Sequence, residues 1–122
     1  MTTLLAISEA KFSAAATHRG PDIVLELSGS ADVVAKQHLA RLLREVHAQA
    51  KALGAQEVKI DIRRLVFMNS SCFKDVITWL ERARTDQGYR IVFLSSANQH
   101  WQRRSLHALS CFARDLVSVE AS

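Results

Sequence analysis

Residues 23–62 hold an apolar β-branched run, a long amphipathic stretch and a second apolar run, and this triplet leaves few folds open. Ile23-Val24-Leu25-Glu26-Leu27 reads as a strand, with Gly29 closing it. Ser30-Ala31-Asp32 then supplies capping oxygens for a helix predicted from Val34 to Leu53. Leu39, Leu42, Leu43, Val46, Ala50 and Leu53 fall on one stripe of that helix, and Lys36, Arg41, Arg44, Glu45, Gln49 and Lys51 face away. Gly54 sits where a left-handed C-cap belongs, and Val58 to Ile62 reads as the second strand. Strand, helix and strand form a β-α-β unit, for which the right-handed parallel crossover is the rule.

The flanking segments extend this unit. Lys11–Thr17 and Ile23–Ser28 are predicted as a hairpin joined through His18-Arg19-Gly20-Pro21-Asp22. A second helix is expected from Cys72 to Thr85. Phe73, Val76, Ile77, Leu80 and Ala83 face inward on it, Trp79 lies at the edge, Asp75 in the first turn, and Arg82 and Arg84 in the last. Arg90–Leu94 reads as a buried strand, Gln99–Leu109 as a third helix and Leu116–Val119 as a last short strand. All four glycines fall at predicted boundaries. The order β-β-α-β-α-β-α-β implies an α/β fold with a mixed sheet and helices packed on it. At 122 residues, 48% hydrophobic and 23% charged, the chain fits one domain over 1–122 with its core at about 11–119.

Other classes are disfavoured. No apolar run reaches membrane-spanning length, and the first residues lack the basic and apolar regions of a signal peptide. Cys72 and Cys111 are too few for a disulfide framework, so a cytoplasmic protein with reduced thiols is expected. The net charge of +4 is spread along the chain with no aromatic-basic repeat, so no nucleic-acid partner is expected.

Chemistry concentrates at Val66-Phe67-Met68-Asn69-Ser70-Ser71-Cys72-Phe73, where an apolar approach ends in a polar corner and a helix begins. A helix start presents unpaired N–H groups and partial positive charge. Asn69, Ser70 and Ser71 are residues that cap such a start for structural reasons alone. Cys72 in a first turn has the placement of an activated thiol, but also the size of a small buried hydrophobe. A nucleophile needs a base, and His18, His38, His47, His100 and His107 are scattered with no motif setting one beside Cys72. No enzyme, metal site or cofactor is therefore expected, and no Gly-rich phosphate loop is present. Asp61 and Asp75 lie on different elements, and His100 and His107 share a helix face without further ligands. Trp79 and Trp101 suit either partner anchors or core-edge packing, and Arg103-Arg104 either an acidic partner or a solvated face.

This order of elements, with these residues, resembles the STAS domain, the fold of bacterial anti-sigma factor antagonists. Ile23–Gly29 looks like the family's second strand and its closing glycine, and Asp32 like the acidic residue of its Gly-x-Leu-Asp pattern. Asn69-Ser70-Ser71-Cys72 stands in the place of the Asp-Ser-Ser-Gly motif, and Leu109-Ser110-Cys111-Phe112 in that of Leu-Thr-Gly-Leu. Asn69, Cys72 and Cys111 depart from the family's Asp and two glycines. The resemblance implies a regulatory module whose Ser70 accepts a phosphoryl group from a partner serine kinase of the anti-sigma type and loses it to a phosphatase. Asn69, Ser71, Cys72, Lys74 and Asp32 would form the partner-binding surface. The alternative within the same resemblance is a non-phosphorylated accessory subunit of a larger complex, such as a lipid-transport ATPase.

Overall fold

A computed structural model describes residues 2–9, 11–86 and 88–121. The strands are β1 (Thr2–Ser8), β2 (Phe12–Arg19), β3 (Asp22–Ala31), β4 (Glu57–Met68), β5 (Arg90–Ser95) and β6 (Val117–Ala121). The helices are α1 (Val33–Leu53), α2 (Ser70–Asp86) and α3 (His100–Phe112). The strands form one sheet in the order β1-β2-β3-β4-β5-β6. The first three run antiparallel and the rest parallel, giving the mixed sheet that the sequence implied.

Each parallel strand is laid beside its predecessor, and each crossover carries one helix. Successive crossovers of one hand, all stepping the same way, leave every helix on the same face. The burial follows. Ile23, Leu25 and Leu27, Val58, Ile60 and Ile62, and Ile91 and Phe93 point into a single core with Leu39, Leu42, Leu43, Val46, Val76 and Leu80. Lys59 and Asp61, alternating with them, face the other way. Fully burying one such Leu or Ile stabilises the fold by roughly 1.5–3 kcal/mol, so the helix stripe and the strand alternation together dominate its energetics.

Four elements depart from expectation. The N-terminal strand β1 was not foreseen, because a register shift between Thr3 and Leu5 sets Leu4 outside the ladder and breaks the period-two pattern. Strand β4 runs well past Ile62 to Met68, alongside β3. Register shifts opposite Glu26/Ser28 and Gly29/Ser30 interrupt its alternation, which made Arg63-Arg64 look like a loop. Gly29 lies inside β3 rather than closing it. Its φ is +88°, and a Cβ there would collide with the Lys11 carbonyl oxygen. Helix α2 begins at Ser70, two residues earlier than predicted, so Asp75 belongs to the second turn.

Candidate functional site

The polar corner lies where β3 and β4 end side by side and α1 and α2 begin. Ala31 pairs with Met68 as the last rung of the β3–β4 ladder. The Asn69 N–H donates to the Ala31 carbonyl at 2.9 Å, which fixes the spacing of the two exits. Asp32 caps α1, its carboxylate accepting from the Val34 and Ala35 N–H groups at 3.0 and 3.2 Å. Asn69 caps α2 in the same way, its Oδ1 accepting from the Cys72 N–H at 2.8 Å. Two helix N-termini thus open together at the carboxyl ends of parallel strands, the position at which open α/β sheets present ligands and partners.

Below the surface a second set of contacts holds the two starts together. Cys72 is fully buried, and its thiol meets the Asp32 carbonyl at 3.5 Å. Burial, with the Asp75 and Asp32 charges adding to it against the opposing effect of Lys36, pushes the thiol up to about 11. A thiol so protonated and enclosed is no nucleophile at neutral pH. Its side chain is also out of a partner's reach, which corrects its place in the expected contact surface. Lys36 of α1 reaches Asp75 of α2 at 3.0 and 3.1 Å, bridging the helices one turn further on.

Ser70 is the first residue of α2 and is exposed. Capping by Asn69 leaves the Ser70 hydroxyl without a hydrogen-bond partner among the described residues. Ser71 is half-buried beside it, and Lys74 is exposed one turn along from Ser70. Around the corner stand four exposed apolar side chains, Val33 (76% exposed), Val34, Val66 and Phe67 (48%). Among the described residues no group of three or more His, Cys, Asp or Glu side chains is arranged to hold a metal.

The support for this corner comes from a residue the sequence reading passed over. Strand β4 loses β5 after the Asp61–Leu94 rung, so its next carbonyls on that side need new partners. Gln102 of α3, with no exposed surface, donates to the Ile62 and Leu65 carbonyls at 2.6 and 3.0 Å, and its Oε1 accepts from the Ser96 N–H at 3.0 Å. Trp101 Nε1 adds a bond to the Leu65 carbonyl at 3.2 Å. The signal was a lone amide on the apolar side of α3, between the positions of Trp101 and Leu106. Neither tryptophan is a free anchor: Trp79 is buried and donates to the Tyr89 hydroxyl at 3.0 Å. Cys111 lies in regular helix on α3 and Cys72 in regular helix on α2, so neither position demands the backbone freedom of glycine.

No protein-family profile matches the chain, and no curated protein matches it in sequence. Solved structures do. An anti-sigma factor antagonist from Mycobacterium paratuberculosis superposes with a TM-score of 0.66 at 17% identity, over 87% of this chain and 86% of that one. The anti-sigma factor antagonist SpoIIAA in its unphosphorylated form gives 0.51 at 22% identity, over 66% of this chain and 71% of that one. The Bacillus cell fate determinant SpoIIAA in its phosphorylated form gives 0.60 at 18% identity, over 88% and 90%. At these identities the likeness establishes the fold, which is STAS-like.

Proposed function

We propose that this chain is a regulatory protein-interaction module of the anti-sigma factor antagonist kind, switched by reversible phosphorylation of Ser70. The observation that carries the proposal is a division of labour at the start of α2: Asn69 does the capping, leaving the exposed Ser70 hydroxyl uncommitted. A serine kept only as a cap would spend its oxygen on the helix. The fold is shared with SpoIIAA, whose structures include a phosphorylated and an unphosphorylated form.

The chemistry of the corner fits this use. A phosphoryl group adds a charge of about −1.5 to −2. At the first helical position the helix dipole favours that charge, and Lys74 stands one turn away to meet it. Phosphorylation would then leave the domain folded and change the surface that a partner reads. That surface combines Ser70, Ser71, Lys74 and the edge of Asp32 with the apolar Val33, Val34, Val66 and Phe67. Cys72 and Asn69 shape it from beneath. The partners would be a serine kinase of the anti-sigma type, which would bring its own nucleotide, and a phosphatase.

The apolar side chains also fit a second reading, a constitutive accessory subunit of a larger complex, because a permanent interface tolerates them better than free solvent does. Site-mapped mass spectrometry of the protein recovered from its native cells separates the two. Phosphate on Ser70, lost in Ser70→Ala, supports the switch. An unmodified Ser70 under every growth condition, together with co-purification of a membrane ATPase, supports the accessory subunit.

A further inference from the structure

A second cleft opens at the same, carboxyl end of the parallel strands, beside β5 and β6 rather than β3 and β4. The carboxyl ends of β5 and β6 and one flank of α3 enclose about 310 Å³. Arg103 and His107, four residues apart on α3, share one wall. Ser96 and Ser110 add hydroxyls, and Leu106 and Val119 an apolar side. Among the described residues no side-chain carboxylate lines the cleft. On β6, Val119 and Ala121 face into it, and strand alternation turns Glu120 the other way. Among the described residues Arg103, like most of the arginines, makes no ion pair.

We propose that this cleft binds a small organic phosphomonoester, its phosphate held by Arg103 and His107 and its organic part against Leu106 and Val119. A guanidinium with no acid to neutralise it is suited to forked hydrogen bonding of phosphate oxygens. The cleft lies just beyond the carboxyl ends of parallel strands, where open α/β sheets collect ligands. Its volume is at the lower end of small-molecule sites, which are roughly 300–1,000 Å³, and leaves room for more than a bare phosphate. The amphipathic lining gives that extra room an apolar partner. The cleft shares no lining residue with the Ser70 corner, and the proposal does not rest on the switch.

The test is an NMR titration of the full chain with phenyl phosphate, with inorganic phosphate and benzyl alcohol as separate arms. The expected result is saturable shifts of the Ser96, Arg103 and Ser110 amides with phenyl phosphate, weaker binding of inorganic phosphate and none of the alcohol. Arg103→Gln is expected to weaken binding about tenfold or more, with the remaining amides unmoved, and the neighbouring exposed Arg104→Gln to leave it within about twofold. Shifts that do not saturate, or that centre elsewhere, would overturn the proposal. So would wild-type affinity in Arg103→Gln, or inorganic phosphate binding as tightly as phenyl phosphate.

Discussion

The Cys72 thiol donates to the Asp32 carbonyl at 3.5 Å, joining the first turn of α2 to the residue that caps α1. With the Asn69–Ala31 bond at 2.9 Å and the Lys36–Asp75 pair at 3.0 Å, it makes the two helix starts one rigid corner. The position occupied by glycine in the family motif is here a small apolar plug inside a helix. Replacing it, Cys72→Gly, removes buried sulfur and adds helix-interior flexibility. The expected loss is about 2 kcal/mol of stability, read by denaturant unfolding.

The same burial predicts a pH dependence. Burial pushes the folded thiol from its ordinary value of 9.0 up to about 11. A raised folded value means the native state holds the proton more tightly, so the contribution is complete below pH 9 and is lost as pH climbs from about 9 to 11. Native protein at pH 8 should therefore show one fast thiol towards a disulfide reagent, the exposed Cys111, with Cys72 reacting only on unfolding. Two fast thiols would contradict this placement.

Gln102 should prove more important than its position on a short helix suggests. Gln102→Leu keeps the volume but leaves the Ile62 carbonyl and the Ser96 N–H unpaired in the interior, while Leu65 retains Trp101. A loss of about 2–4 kcal/mol follows from two such groups. Hydrogen exchange should show the loosening concentrated in residues 62–69, the segment that presents Ser70.

A fourth prediction concerns the pair of helix ends far from the corner. Trp79 donates to the Tyr89 hydroxyl, which can donate in turn to His47 Nδ1 at 2.7 Å, leaving Nε2–H for Asp86 at 2.6 Å. Tyr89→Phe breaks this chain in its middle and leaves the Trp79 N–H unpaired. Stability should fall by about 1–3 kcal/mol, with the affinity for a partner docked at Ser70 unchanged.

These residues mark how far the sequence could be read. The stripe Leu39-Leu42-Leu43-Val46 and the alternation in Ile23–Leu27 and Val58–Ile62 announced the β-α-β core, because burial on one side leaves a period in the chain. Strand β1 and the far half of β4 were hidden for the opposite reason: extra residues at Leu4 and at two points along β4 break the period while preserving the ladder. Asn69, Ser70 and Ser71 were visible as a helix start, but which of them caps was not, since all three side chains are able to. The roles of Gln102 and Tyr89 rest in part on partners 37 to 42 residues away, and no local pattern encodes such pairings.

Docking at the corner should depend on its apolar rim. Val33→Ser removes a largely exposed side chain, so stability should change by no more than about 0.5 kcal/mol, while Phe67→Ser, which uncovers a half-buried ring, should cost about 1 kcal/mol. Binding to the partner should weaken about tenfold or more if these residues lie at the centre of the interface. Isothermal titration checks this, and wild-type affinity in both variants would place the interface elsewhere.

The central claim is that a phosphoryl group on Ser70 alters recognition without altering the fold. The most direct measurement compares the unmodified chain with chain carrying phosphoserine at Ser70 for binding to the kinase that co-purifies with it. The account predicts the same far-ultraviolet and amide spectra away from residues 66–75, with partner affinity reduced by about tenfold or more, or about 1.4 kcal/mol. Equal affinity of the two forms, or a phosphorylated chain that unfolds, would contradict it.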